Sequence, residues 1–101
     1  MANVTFYRVV SQAEWEDIQA TGQLRQGPNS VEGKHLTGSL EEAQRFAAKL
    51  FPSGSYRIVE VEFTKEVADR LFFIGHMDLC GRVWFAELAD LPKAVVREVI
   101  L

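Results

Sequence analysis

The chain carries a single cysteine, Cys80, in 101 residues, which excludes an internal disulfide and any cysteine-based metal cluster. Its two histidines, His35 and His76, stand far apart with neither an H-E-x-x-H nor a C-x-x-C pattern, so no zinc signature is present and no metal is expected. Nor is there a phosphate loop or a Gly-x-Gly-x-x-Gly motif. No apolar run approaches the length needed to cross a bilayer, which predicts no membrane association. Met1 to Thr5 lack a basic segment followed by an apolar one, so no secretory leader is expected. No basic run offsets a net charge of -3, which argues against a nucleic-acid partner. Repeats and low-complexity tracts are missing too. These absences predict a cytoplasmic domain or a piece of a longer protein.

What is present is ordinary globular composition, with 48% hydrophobic and 25% charged residues. A chain of this length forms one domain over residues 1–101 and is long enough to bury a core. Val4 to Val10 alternates Val4, Phe6, Arg8 and Val10 with Thr5, Tyr7 and Val9, which predicts a strand. Ser11-Gln12-Ala13-Glu14 fits the Ser-x-x-Glu capping box, and Thr21-Gly22 closes the helix that follows. Gly27-Pro28-Asn29-Ser30 reads as a tight turn. Lys34 to Thr37 reads as a short strand, and Ser39-Leu40-Glu41-Glu42 as a second capping box. Ala43, Phe46, Ala47, Leu50 and Phe51 then form an apolar helical stripe that Pro52-Ser53-Gly54-Ser55 ends.

Tyr56 to Phe63 is the clearest strand, and Thr64 caps a short helix over Lys65 to Leu71. Phe72 to Ile74 reads as extended and Gly75 to Gly81 as an irregular link. Val83 to Leu88 and Val95 to Leu101 complete the strands. The pattern predicts an α+β domain.

Two charged residues break apolar faces. Arg8 sits among Val4, Phe6 and Val10, so its guanidinium needs a carboxylate, a carbonyl or a ligand anion, unless its head reaches water. Glu87 shares a face with Val83 and Phe85, where a carboxylate either serves chemistry or pairs with Arg8, Arg57 or Arg97. Thr37 and Ser39 place hydroxyls at a strand end and a helix start, with Ser39 also a natural cap.

Phe6-Tyr7-Arg8, the Pro-Asn-Ser-x-Glu-Gly-Lys loop and Leu36-Thr37-Gly38-Ser39-Leu40-Glu41-Glu42-Ala43 together resemble the ADP-ribosyltransferase-like superfamily. The likeness is to its small bacterial toxin-type domains, covers nearly the whole chain, and implies an α+β fold whose split or mixed sheet carries two or three short helices. It implies NAD as substrate, with Arg8 holding the NAD phosphate or ribose and Thr37 and Ser39 supporting the nicotinamide ribose. It assigns the catalytic glutamate to Glu87. The implied activity is transfer of ADP-ribose to an unknown acceptor, such as a protein, or hydrolysis of NAD. The alternative is an inactive ligand- or protein-binding module on the same fold. The resemblance also implies a cognate inhibitor or a parent-protein partner, and delivery within a larger secreted toxin. Three departures stand out. The usual Ser-Thr-Ser-like triplet is Thr-Gly-Ser, no Glu-x-Glu or Gln-x-Glu pair surrounds Glu87, and Arg82 begins the strand where a glutamate is expected.

Overall fold

Alternation in the first strand fixes two faces, and the helices sort themselves onto one or the other. The computed structural model describes residues 3–24, 33–51, 54, 56–77 and 81–99. The Gly27–Ser30 turn, Val31, Glu32, Pro52, Ser53, Ser55, Asp78, Cys80 and Leu101 lie outside the described residues. The elements run β1 (Asn3–Val10), α1 (Gln12–Thr21), β2 (Gly33–Thr37), α2 (Leu40–Leu50), β3 (Arg57–Thr64), α3 (Lys65–Ala68), β4 (Phe72–Met77) and β5 (Gly81–Glu87). A 3-10 turn at Leu91–Lys93 leads into β6 (Val95–Glu98). The sheet order is β4-β5-β2-β1-β3-β6. This is an α+β domain.

Every strand pairing among the described residues is antiparallel, which corrects the expectation of a mixed sheet. Of the segment read as an irregular link, Gly75 to Met77 belong to β4 and Gly81 starts β5, and these two strands pair with each other. Glycines hid it. Phe73 pairs with Trp84 but Gly75 with Val83, so Ile74 is an extra residue in a bulge that breaks the alternation. Gly75 and Gly81 both adopt positive φ, at 123° and 105°.

On one face, Phe6 and Val10 of β1 join Val59, Val61 and Phe63 of β3 in a cluster closed by Trp15 and Ile18 of α1. On the other, Val9 and Ile58 are covered by Ala43 and Ala47 of α2. The small alanines let α2 lie close to the strands, while Phe46, Phe51 and Tyr56 pack around them. The end of the predicted stripe belongs to Phe51 and Tyr56, whose rings lie 6.3 Å apart, and Leu50 is 54% exposed rather than buried.

All three predicted serine and threonine caps form. Ser11, Ser39 and Thr64 accept the backbone N–H of Glu14, Glu42 and Val67 respectively. Gly22, at φ 75°, ends α1 by donating to the Ile18 carbonyl.

β1 pairs with β3 at eight consecutive positions, from Asn3↔Thr64 to Val10↔Arg57. Among the described residues its pairing with β2 is limited to Tyr7↔Thr37. The sheet is therefore two three-stranded halves meeting at a narrow junction.

Phe63 is fully buried and packs edge-on to Phe6 at 6.2 Å. Phe63→Ala is expected to lower stability by about 3–5 kcal/mol in urea unfolding. An unchanged unfolding midpoint would refute this account of the core.

Candidate ligand-binding site at the sheet junction

With the ladder between β1 and β2 so short, side chains bond the carbonyls there. Arg8 Nη1 donates to the His35 carbonyl at 2.9 Å, and Thr37 Oγ1 donates to the Tyr7 carbonyl at 2.9 Å. Each strand thus supplies one side chain that bonds the other's backbone, so polar groups left without ladder partners are satisfied. Thr37 is buried in doing so.

Arg8 is committed further. Its Nε and Nη2 grip Glu14 Oε2 and Oε1 at 2.7 and 2.9 Å, a two-pronged ion pair that anchors the start of α1. Lys34 enters the same cluster with Nζ 3.7 Å from Glu14 Oε1, although its side chain is only 6% exposed. Burial lowers the Lys34 pKa, with the adjacent Arg8 adding to the effect and Glu14 opposing it.

Arg8 and Thr37 lie on adjacent strands, but they do not share a cleft. Thr37 is directly opposite Tyr7, so these two side chains share a face, and Arg8, the next residue, projects to the other. Packing agrees with the alternation: Tyr7 borders the α2 cluster, while Arg8 binds Glu14 of α1.

Ser39 stands at the α2 end of the junction. Its hydroxyl caps the helix and also donates to Glu42 Oε1 at 2.9 Å. The Glu42 carboxylate does not complete the reciprocal capping box. It turns to the start of β5, accepting from the Arg82 backbone N–H at 2.5 Å and from Arg82 Nη2 at 2.8 Å. The Arg82 side-chain hydrogen bonds are the largest cause of a Glu42 pKa lowered to about 2, with the Arg82 backbone N–H and the Ser39 hydroxyl adding to them against burial.

Two departures from the resembled family meet here. A Cβ on Gly38 would lie 2.8 Å from Arg82 Nη2 and 2.9 Å from the Trp84 ring. The Arg82 guanidinium itself lies over Trp84, 5.6 Å from its centroid. Glycine at position 38 and arginine at position 82 are one packing arrangement, in which the residue without a side chain gives the arginine its space. Gly81 is fitted to the same carboxylate, since a Cβ there would come within 2.3 Å of Glu42 Oε2.

Glu87 is not brought to this group. It pairs with Gly33 at the far end of β2, four residues from Thr37, or about 13 Å at ~3.3 Å per residue. It is exposed, and none of the described residues forms an ion pair with it. The arginines expected as alternative partners are engaged elsewhere: Arg8 with Glu14, Arg57 with Glu98, and Arg97 with Glu62 and Glu60.

The sequence reading did not single out Glu14, Lys34 or Glu42 as tertiary contacts. The two glutamates do carry a signal, since each is the last residue of a Ser-x-x-Glu box and sits at the start of a helix. Lys34 shares its strand face with Leu36, so it is a charge on an apolar face like Arg8. No protein-family model, curated protein or solved structure matches the chain.

Because Glu42 titrates lower in the folded chain than its ordinary 4.5, its contribution is present above that value and is lost as pH falls toward about 2. Glu42→Gln is expected to lower stability by roughly 1–2 kcal/mol at neutral pH and to flatten the acid dependence in that window. Urea unfolding at several pH values measures both, and parallel pH profiles for the two proteins would refute the assignment. Gly81→Ala is expected to destabilise more than Gly54→Ala. Both residues have positive φ, but a Cβ on Gly54 would meet nothing within 4 Å.

Proposed function

We propose that the chain is a binding module of ADP-ribosyltransferase-like architecture that recognises NAD at the β1–β2 junction without turning it over. The observation that carries this reading is the Glu42–Arg82 pair seated on Gly38. Breaking the nicotinamide bond builds positive charge on the ribose, which a carboxylate stabilises. At the start of β5 the group facing the junction is a guanidinium, and the carboxylate beside it is already neutralised by that guanidinium. A second arginine in this position stabilises a bound anion and opposes a developing cation.

NAD as the ligand is supported by the resemblance and by the two half-sheets, which resemble the family's split sheet; Thr37 and Ser39 stand at the α2 side of their junction, with Arg8 on the other face. The resemblance and the exposed Glu87 carboxylate favour the second reading, ADP-ribosyl transfer or NAD hydrolysis, in which Glu87 supplies the carboxylate. Glu87 would have to act from the other end of β5, on the face that Phe85 and His35 share.

Calorimetric titration with NAD, paired with an assay of nicotinamide release, tests the proposal. Saturable binding with no release above background is the expected result. Absence of binding would remove NAD as the ligand. Release by the wild type, reduced by a factor on the order of 10²–10³ in Glu87→Gln at unchanged melting temperature, would establish the second reading instead.

A further inference from the structure

Three side chains outside the junction meet on the α2 face of the sheet. In the register of β2 with β5, His35 is opposite Phe85 and Gly33 is opposite Glu87. Opposite and alternate residues share a face, so His35, Phe85 and Glu87 project together, beginning one row beyond Thr37. Gly33 is the fourth corner of this block and has no side chain. The Phe85 ring fills that corner, since a Cβ on Gly33 would lie 2.5 Å from the ring's Cζ. Packing on the backbone in this way holds the ring in one orientation.

The His35 ring stands 5.4 Å from the Phe85 ring at an interplanar angle of 71°, so the two form a corner rather than a flat stack. Phe72, opposite Phe85 on β4 and 68% exposed, continues the aromatic row. Glu87 follows Phe85 on the same face, about 7 Å further along the strand. Its carboxylate is exposed and has no ion-pair partner among the described residues. The cations Arg70 and Lys93 are taken by Asp90, the next acidic residue along the chain. Burial first and Arg8 second lower the His35 pKa, which leaves the imidazole neutral at pH 7. Arg8 itself is on the other face, held by Glu14.

We infer that this block binds a trimethylammonium group, with the Phe85 and His35 rings against its methyl groups and Glu87 balancing its charge. Aromatic rings attract a cation placed within about 6 Å of the ring centroid. That reach matches the spacing between Phe85 and Glu87, so one bound cation can touch both. An unpaired carboxylate beside two uncharged rings selects positive charge and repels anions. Methylation then decides among cations. A bare ammonium is strongly hydrated and stays in water, whereas a quaternary nitrogen presents methyl groups that the rings can cover. The block is one headgroup wide, which suits a small head rather than a protein surface. The inference is independent of what the junction binds.

NMR titration of the whole chain with choline, from about 0.1 to about 100 mM, tests it. Saturable shifts at His35 and Phe85 are expected, with a Kd on the order of 1–10 mM. Ammonium, and the neutral analogue of choline with carbon in place of nitrogen, should bind at least about fivefold more weakly. Glu87→Gln and His35→Ala, both at exposed positions, should each weaken choline binding at least about threefold with the wild-type melting temperature retained. Glu16→Gln removes an exposed carboxylate from α1, across the sheet, and should bind like wild type. Phosphatidylcholine vesicles identify the source of the head. Vesicle binding no tighter than choline assigns a free ligand, and binding at least about tenfold tighter assigns a membrane surface. Absence of saturable choline binding overturns the inference. So does equal binding of the neutral analogue, indifference to both Glu87→Gln and His35→Ala, or equal weakening by Glu16→Gln.

Discussion

The structure depends on how the backbone is satisfied where β1 meets β2. An unpaired carbonyl buried in a sheet is costly, and a ladder one position long leaves its neighbours needing other partners. Arg8 and Thr37 supply the partners for His35 and Tyr7. The same guanidinium then fixes Glu14 and, through it, the start of α1. A residue that looks like an anion-binding arginine in the sequence is therefore also the pin that holds two half-sheets and a helix together.

The two long helices are secured by one device used twice. In each, serine caps the first turn while the glutamate three residues on leaves its usual place beside the cap and reaches a cation on the sheet. Glu14 does this on one face and Glu42 at the opposite helix. A carboxylate at this position gains from the helix dipole as well as from its ion pair, which suits it to an anchoring role. Since neither glutamate is free, the surroundings of the junction are more completely satisfied internally than an open catalytic cleft would be.

Much of this was legible from residue pattern. The caps at Ser11, Ser39 and Thr64, the strand from Val4 and the α2 stripe at Ala43 and Ala47 all follow from local periodicity, which the fold respects. Phe72 to Ile74 were read as extended, but the second half of β4 escaped because the extra Ile74 and Gly75 break the alternation that reveals strands. Leu50 has the right helical angle, but Phe51 and Tyr56 already fill the end of that face. For the candidate site, pattern singled out Arg8, Thr37 and Ser39 but not the face each would occupy. One residue of register separates a shared cleft from opposite sides of a sheet, and register is set by pairing with another strand. The destination of a glutamate at a helix start is equally non-local.

The narrow junction also bears on the order in which the chain assembles. β4 and β5 are neighbours in sequence and form a hairpin, an event of microseconds. β1 and β3 pair over eight positions, but Val10 and Arg57 must first close a loop of roughly fifty residues. Each half-sheet can gain most of its pairing without the other, and the junction adds its few bonds only where the two halves meet. The bonds from Arg8 to His35 and from Thr37 to Tyr7, which cross the junction, would then form only as the halves meet. Strengthening them would slow unfolding and leave the rate of folding nearly unchanged.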